Sequence, residues 1–405
     1  MRLGEPLTYD PATNAVSAGL GKRGIIQPKP VGRKAPPAAA STASGRWRLL
    51  RIARSVTERK SMRTCGLFAA EGVVDVVKDG KGRASVRGVY TCGSRICPVC
   101  SARLAARSIG QVIAATERVV DAGGTALFVT LSVPHSRGGA LSELLDALQA
   151  GWNASMSGRG GRVWKHLGRV GYVRALDYTH GQNGHHPHYH CIVLFDRSVN
   201  DYDLAWLTWD LRERWERAVR RSLGRDTVEA AVKVDRVKDD AGRAVGKYLL
   251  KAITSATLET VWSAGKGNSR GRSIWQVLAG AERSEADRRT WREIERATLK
   301  RRWFTASRGL LLEEEPEGED GETIQEPEQL APDDAPALSM SGPFWRAVNR
   351  GGYLALMFGA VEDDPRAPRG ALATWQALTT ISLGVPKSEG AWIEELHHRW
   401  RPVIV

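Results

Sequence analysis

The chain has 405 residues, of which 42% are hydrophobic and 26% are charged, so it is long enough to bury a substantial core. Its formal charge of +14 favours a polyanionic partner. Nucleic acid is favoured over a membrane surface because the sequence contains no long apolar span. The N-terminus lacks the apolar core of a signal peptide and the five cysteines are odd in number. These features argue against a secreted, disulfide-bonded protein and predict a cytoplasmic one.

In chain order, the composition predicts five regions. Residues 1–46 are rich in Pro, Ala, Gly and Ser and predict a flexible basic arm. Residues 47–122 form a cysteine-rich region, with a hairpin over 73–89 and a helix over 101–121. Residues 123–312 mix strands and helices, residues 313–337 form an acidic linker, and residues 338–405 form a small helical region without recognisable chemistry.

Four of the cysteines are spaced like metal ligands. Cys92, Cys97 and Cys100 lie close together, and Cys65 comes just before the predicted hairpin. Four thiolates can make a tetrahedral zinc site, which here would join the hairpin to the helix that follows. An iron–sulfur cluster and simple buried cysteines are the alternatives. Cys191 lies within an apolar run and is predicted to be a core residue.

The region that follows carries strands and helices in mixed order. Apolar runs predict strands over 126–133, 170–178, 184–195 and 228–237, and helical spacing predicts helices over 141–156, 203–223 and 241–255. The strands over 170–178 and 184–195 are expected to pair antiparallel through a loop too long for a tight turn. Helices dispersed among strands that pair through hairpins predict an α+β domain with an antiparallel-rich sheet.

A histidine pair lies at the start of the strand over 184–195. His188 and His190 flank Tyr189, so the two imidazoles point to the same face, and the apolar run that follows buries the strand. Two imidazoles in this arrangement can share one divalent cation. A histidine-rich surface turn that leads into an ordinary core strand is the alternative.

A tyrosine lies between two lysines on the predicted helix over 241–255. The phenol of Tyr248 has an ordinary pKa of about 10, so it needs local positive charge to act as a nucleophile. Lys247, Lys251 and a nearby cation could supply that charge. A tyrosine with solvated lysine neighbours on an ordinary helix is the alternative.

A basic, glycine-rich stretch over 266–273 follows the tyrosine segment. Lys266, Arg270 and Arg272 could hold backbone phosphates, and Trp275 just after them could stack on a base. A flexible, solvated loop explains the same residues equally well.

Taken together, these segments resemble the single-tyrosine rolling-circle plasmid replication initiators of the HUH-endonuclease superfamily, from Gram-positive and actinobacterial plasmids. The resemblance spans about residues 60–310 and rests on three motifs in order, over 128–135, 186–190 and 246–251, with the cysteine-rich segment before the first. It implies a HUH-type antiparallel-rich sheet with flanking helices, an N-terminal cysteine-rich zinc staple and a small, mostly helical C-terminal region.

The resemblance also implies a role for each motif residue. His188 and His190 would ligate Mg²⁺ or Mn²⁺ together with Asp177 on the preceding strand, and His186 would support them. Tyr248 would attack the scissile phosphate and give a 5′-phosphotyrosyl adduct and a free 3′-hydroxyl. Origin DNA, double-stranded and single-stranded, would be the substrate, a host helicase and DNA polymerase would be partners, and a homodimer is left open.

The sequence departs from the family pattern at one position. Ala244 stands where some relatives carry a glutamate one helical turn before the tyrosine, and Asp239 and Asp240 are the nearest carboxylates that could replace it. Two other classes of function fit part of the pattern. One is another HUH enzyme, a mobilisation relaxase or a transposase, and the other is a zinc-containing DNA-binding protein without catalysis.

Overall fold

The computed structural model describes residues 8–10, 15–17, 42–78, 82–237, 271–311 and 338–363. The chain divides into two compact units, residues 1–36 and residues 37–405. In the first unit, strand β1 (Thr8–Asp10) pairs antiparallel with β2 (Ala15–Ser17), so the predicted flexible arm contains a short strand pair. The second unit carries every residue for which the sequence predicts metal binding, DNA binding or catalysis.

The second unit is built from helices and mainly antiparallel strands. Its helices in the described ranges are α1 (Ala43–Val56), α2 (Lys60–Thr64), α3 (Pro98–Asp121), α4 (Leu141–Met156), α5 (Gly158–His166), α6 (Asp201–Leu223), α7 (Ile274–Gly280), α8 (Glu285–Ala297), α9 (Gly342–Arg350) and α10 (Leu354–Asp363). Its strands are β3 (Val73–Lys78), β4 (Ala84–Arg87), β5 (Thr125–Ser132), β6 (Arg169–Gly181), β7 (Gly184–Phe195), β8 (Val232–Arg236), β9 (Gly271–Ser273), β10 (Phe304–Ala306) and β11 (Leu338–Ser341). None of the helices in these ranges is both long and apolar enough to cross a membrane.

The central sheet has the strand order β10-β6-β7-β5-β8, with β9 paired to the end of β6, and all of its neighbours run antiparallel. The predicted α+β class with an antiparallel-rich sheet is therefore confirmed. The connection between β6 and β7 corrects a prediction. Gly181 pairs with Gly184, so a two-residue turn of Gln182 and Asn183 replaces the predicted long loop. Gly184 has a φ of +80°, which a glycine adopts without strain.

The two faces of this sheet are buried by different helices. Leu131, Tyr189 and Val193 point to the larger core, which includes side chains from α4, α6 and α8. Phe128 and Ile192 alternate with them and point to a smaller core against α3. Because His190 has the same parity as Ile192, the predicted metal ligands lie on the α3 side of the sheet, beside the smaller core.

The cysteine-rich region forms a second sheet of order β11-β3-β4. Its first strand comes from the C-terminal region, where Met340 pairs with Val74. Helix α10 also packs against α1, with the Phe358 ring stacked on Trp47 at 5.6 Å and the Trp345 ring of α9 edge-on to it at 5.4 Å. The described part of the predicted C-terminal region therefore shares one core with the cysteine-rich region.

Candidate active site

Strands β6 and β7 bring three predicted metal ligands together. Asp177 Oδ2 lies 2.9 Å from His188 Nε2 and 3.6 Å from His190 Nε2, and the two Nε2 atoms are 3.1 Å apart. Asp177 is directly opposite His188 in the sheet, and His190 follows on the same face two residues later. One hairpin therefore supplies the whole ligand set, which we call the histidine centre.

These three separations fit a bound metal ion. Ligand atoms held about 2.1 Å from a cation at right angles to each other are about 3.0 Å apart. One carboxylate oxygen and two imidazole nitrogens form a mixed ligand set that first-row divalent metals accept, and three protein ligands leave positions for a further oxygen ligand. The histidine centre can therefore hold a divalent cation.

The charges within the histidine centre favour an ionised carboxylate. Asp177 is 5% exposed, and its burial alone would raise its pKa. The charge of His188 and the hydrogen bonds from both histidines outweigh that effect and hold the pKa of Asp177 well below its usual range. An ionised carboxylate in this position is ready to bind a cation.

Neighbouring groups orient both imidazoles. Thr130 Oγ1, on the adjacent strand β5, lies 3.2 Å from His190 Nδ1, and the carbonyl oxygen of His186 lies 3.4 Å from His188 Nδ1. A carbonyl oxygen can only accept, so His188 donates from Nδ1 and offers its Nε2 lone pair to a metal, while the Thr130 hydroxyl holds the His190 ring in place. Thr130 was not among the predicted site residues, although it lies in the motif over 128–135.

A stack of imidazoles continues from the ligands toward the loop after β5. The His186 ring lies 4.9 Å from the His188 ring and 4.5 Å from the ring of His135. Burial and the neighbouring imidazoles lower the pKa of His186 to about 4. His186 is therefore neutral at neutral pH and supports His188 through its ring and its carbonyl.

A second centre is formed by four buried thiols. Cys65 Sγ lies 3.7 Å from Cys97 Sγ and 3.5 Å from Cys100 Sγ, and Cys92 Sγ lies 3.7 Å from Cys100 Sγ. The edges of a tetrahedron with zinc–sulfur bonds of about 2.3 Å measure about 3.8 Å. These four residues, which we call the cysteine centre, fit a tetrahedral metal, and Cys191 is a separate core residue with 0% exposure, as predicted.

The C-terminal region holds the backbone beside one of these ligands. Trp345 Nε1 and Asn349 Nδ2 on α9 both donate hydrogen bonds to the carbonyl oxygen of Gly66, at 2.8 and 2.9 Å, and Gly66 follows Cys65 directly. Arg54 of α1 donates to the carbonyl oxygen of Cys65 and to Asn349 Oδ1. No local sequence pattern could have revealed these contacts, because they join residues far apart in the chain.

Several predicted site residues lie outside the described ranges. These are Tyr248, Lys247 and Lys251 of the tyrosine motif, and Lys266 and Arg270 of the basic stretch.

Arg272 is the described member of the basic stretch. It lies on β9 and donates two hydrogen bonds to Asp287, at 2.8 and 2.7 Å, while its side chain stays 44% exposed. Much of its charge is therefore balanced within the protein, and its predicted role in DNA binding stays a prediction.

Comparison with known proteins finds a family and several relatives. The family model described as Replication protein matches residues 83–340. "Protein rep" of Streptomyces lividans is 32% identical over 154 residues, which cover 31% of this chain and 34% of that protein. "Neomycin resistance protein" of Streptomyces cyanogenus is 28% identical, covering 36% of this chain and 42% of that protein, and "Protein rep" of Streptococcus pneumoniae serotype 2 is 27% identical, covering 47% and 55%.

The matched regions span about a third to just over half of the length of these relatives. No solved structure gives a significant match. The family match covers more than half of the chain and includes the histidine centre, strands β4 to β10 and three of the four cysteine ligands. The chain therefore belongs to the replication protein family.

Proposed function

We propose that this replication protein initiates plasmid replication by cutting one DNA strand at the origin, with Tyr248 as nucleophile and a divalent metal at the histidine centre. The observation that carries the proposal is the convergence of one carboxylate oxygen and two imidazole nitrogens within 3.6 Å of one another. A centre with three protein ligands leaves positions open, as a catalytic site requires, whereas structural sites are usually closed by four.

The chain supplies a prepared ligand set for this chemistry. Mg²⁺ or Mn²⁺ bound there would polarise the scissile phosphate and neutralise the charge that develops on its oxygens. Asp177 keeps its negative charge at neutral pH because its pKa is low. The carbonyl of His186 accepts a hydrogen bond from His188 Nδ1, which leaves the Nε2 lone pair of His188 for a metal, and the Thr130 hydroxyl positions the His190 ring.

In the proposed step, the phenol oxygen of Tyr248 forms a bond to phosphorus while the bond from phosphorus to the 3′ oxygen breaks. The phenol loses its proton and the released 3′ oxygen gains one. Lys247 and Lys251 would favour the phenolate, because a nearby cation lowers the pKa of a phenol. The 5′ end stays bound to the protein, which preserves the bond energy for rejoining, and the 3′-hydroxyl can prime synthesis.

The chain path on either side of Tyr248 supports this role. Val237, the last described residue before it, follows β8 at the end of the sheet opposite the histidine centre. Gly271, the first described residue after it, pairs with Gly181 at the end of β6 nearest Asp177. The segment that carries Tyr248 therefore links the far end of the sheet to the end with the metal ligands.

Replication from a cut strand also requires other proteins. A host helicase would separate the strands, and a host DNA polymerase would extend the 3′-hydroxyl. Origin DNA would be bound first as a duplex and then cut in single-stranded or extruded form, which agrees with the chain's formal charge of +14.

The decisive experiment is a nicking assay on a supercoiled plasmid that carries the protein's own origin, with Mg²⁺ or Mn²⁺. We expect nicked plasmid with protein covalently attached to the 5′ end. Tyr248→Phe should abolish the adduct, and His188→Ala should lower the nicking rate at least about 1,000-fold. Matched controls are Tyr202→Phe, whose side chain is 79% exposed on α6, and His166→Ala at the exposed end of α5.

The outcomes separate the proposal from its alternatives. Binding of origin DNA without any nick would leave a zinc-containing DNA-binding protein, for which the cysteine centre alone is required. Nicking and adduct formation on a transfer origin or a transposon end, in place of the replication origin, would assign the same chemistry to a relaxase or a transposase. Nicking that survives Tyr248→Phe would remove the tyrosine from the mechanism.

A further inference from the structure

Three of the four carboxylates of α8 make contacts inside the protein, and the fourth, Glu285, is exposed and lies 3.2 Å from Arg288. Asp287 accepts two hydrogen bonds from Arg272, and Glu293 Oε2 lies 3.1 Å from His185 Nε2. Glu295 is only 2% exposed and accepts hydrogen bonds from the segment between α1 and α2. Most of the acidic side chains of α8 therefore make contacts inside the protein and do not balance positive charge on the outer face of the helix.

The outer face of the same helix is lined by arginines. Arg289, Arg292 and Arg296 are spaced three and four residues apart, so they lie along one side of α8, and we call them the arginine ridge. Arg289 and Arg296 are exposed, and within the described ranges no carboxylate is in ion-pair contact with either. Arg292 approaches Glu58 at 4.0 Å with both side chains well exposed, an arrangement that is worth little.

Helix stability alone does not explain this arrangement. The helix dipole favours cations only in the last turn, whereas Arg289 lies in the first half of α8. Arg283, which is also exposed, precedes the N-cap Ser284, where the dipole disfavours a cation. An ordinary solvated face mixes both signs of charge. On this side of α8, the three arginines outnumber the exposed Glu285, which lies four residues before Arg289, and this excess of positive charge favours an anionic ligand.

We propose that the arginine ridge binds the phosphate backbone of the origin duplex outside the cleavage site, an inference that rests on the proposed function. Arg289 and Arg296 are about 10 Å apart along the helix, which corresponds to about three phosphates of one strand at 3.4 Å each. Guanidinium groups bind phosphate with paired hydrogen bonds. Trp291, the aromatic residue of α8, is fully buried, so the helix offers no stacking surface for the bases of a single strand.

The inner face of α8 connects the ridge to the active site. Glu293 contacts His185 on β7, three residues before the metal ligand His188, and His185 Nδ1 lies 2.7 Å from the Tyr178 hydroxyl, next to the ligand Asp177. His185 differs in parity from His188 and points to the opposite face of the sheet. The ridge therefore lies on the other side of the sheet from the histidine centre, about 20 Å away through one helix and one sheet. Duplex DNA bound there would have to continue around the sheet to bring its cut strand to the histidine centre.

The test compares two triple variants with equal loss of charge. Arg289, Arg292 and Arg296 are changed to Gln in one variant, and the exposed Arg159, Arg162 and Lys165 of α5 are changed to Gln in the other. Affinity for an origin duplex is measured as a function of salt concentration. The ridge variant should bind at least about tenfold more weakly at 0.1 M salt, with its salt slope reduced by about two to three, while the α5 variant changes less.

Two further measurements make the result specific. Changing the three ridge residues to Lys should retain most of the salt slope, which a purely structural role would not predict. Nicking of a short single-stranded oligonucleotide should be equal in the ridge variant and the unchanged protein. Equal affinity of the two triple variants for the duplex would show that the arginine ridge does not bind DNA. If the unchanged protein does not nick the oligonucleotide, the proposed function is wrong instead.

Discussion

The cysteine centre and the histidine centre of this protein are built in opposite ways. The four cysteines are at most 2% exposed, and the backbone beside Cys65 is held by residues of α9 from the other end of the chain. The three ligands of the histidine centre come from one hairpin and are 5% to 9% exposed. Four enclosed ligands suit a structural metal, and three ligands at an open position suit a catalytic one.

The difference predicts different consequences when a ligand is lost. A structural metal contributes its binding free energy to folding, whereas a catalytic metal on an already formed hairpin contributes mainly to activity. Substitutions at the cysteine centre should therefore lower the free energy of unfolding, whereas substitutions at the histidine centre should lower the nicking rate.

The largest effect is expected from Cys97→Ser. Loss of one thiolate from the enclosed site should destabilise the cysteine-rich region by about 5 kcal/mol or more, because structural zinc supplies much of the folding free energy of such regions. Denaturant unfolding followed by tryptophan fluorescence should report it through Trp47, which lies in the same core. His188→Ala is the matched comparison and should leave the unfolding midpoint nearly unchanged. An equal loss of stability in both variants would contradict the distinction between a structural and a catalytic metal.

Acidification should release the metal of the cysteine centre. Without a bound metal, hydrogen bonding to Cys100 raises the pKa of Cys92 well above its usual range, and burial does the same for Cys97. Metal binding must therefore displace protons from these thiols, so affinity falls as the pH falls. With two protons displaced, the affinity should change about 100-fold per pH unit. Competition with a chelator between about pH 6 and pH 8 measures this change. A pH-independent affinity would contradict this ligand set.

A smaller effect is expected from Asn349→Ala. This change removes one of the two hydrogen bonds to the Gly66 carbonyl and one partner of Arg54, but no metal ligand. Loss of such a supporting contact typically weakens metal binding about 10- to 100-fold. Zinc release to a chromophoric chelator should be faster than in the control Asn153→Ala, an exposed position on α4. Equal release rates would show that α9 does not support the centre.

The smallest effect is expected from Thr130→Val. The substitution keeps the shape of the side chain and removes the hydroxyl 3.2 Å from His190 Nδ1. The nicking rate at limiting Mn²⁺ should fall about tenfold and recover in part at high Mn²⁺, because the change weakens orientation of a ligand without removing it. Thr125→Val on the same strand is the control, and a loss that no Mn²⁺ concentration recovers would assign Thr130 a different role.

Local patterns in the sequence predicted much of the fold and both metal centres. Strand alternation alone put His188 and His190 on one face, and cysteine spacing indicated the second centre. Asp177 was identified only through the resemblance to a family, since a lone aspartate at the end of an apolar strand has no local signature. The turn between β6 and β7 was missed because the apolar run stops at Tyr178, whereas polar residues continue the pairing as far as Gly181.

The contacts made by the C-terminal region could not be predicted in the same way. Trp345 and Asn349 lie 279 and 283 residues from the carbonyl that they bind, and no spacing rule relates such positions. Helical and strand periodicity reports only which face of an element is buried, and the partner is decided by packing in three dimensions. The hydrogen bonds of these two residues are found only in the folded structure, in which β11 pairs with β3.

The pairing of β11 with β3 also sets an order of assembly during synthesis. The histidine centre is complete once residues 177–190 have left the ribosome and found β5, because all of its contacts are short in sequence. The sheet beside the cysteine centre cannot form completely until β11 (residues 338–341) is translated, more than 250 residues after β3. The two events are about 150 residues apart, so at about 5 to 20 residues per second they are separated by about 8 to 30 seconds. A nascent chain therefore spends that interval with a complete histidine centre and an unfinished cysteine-rich region.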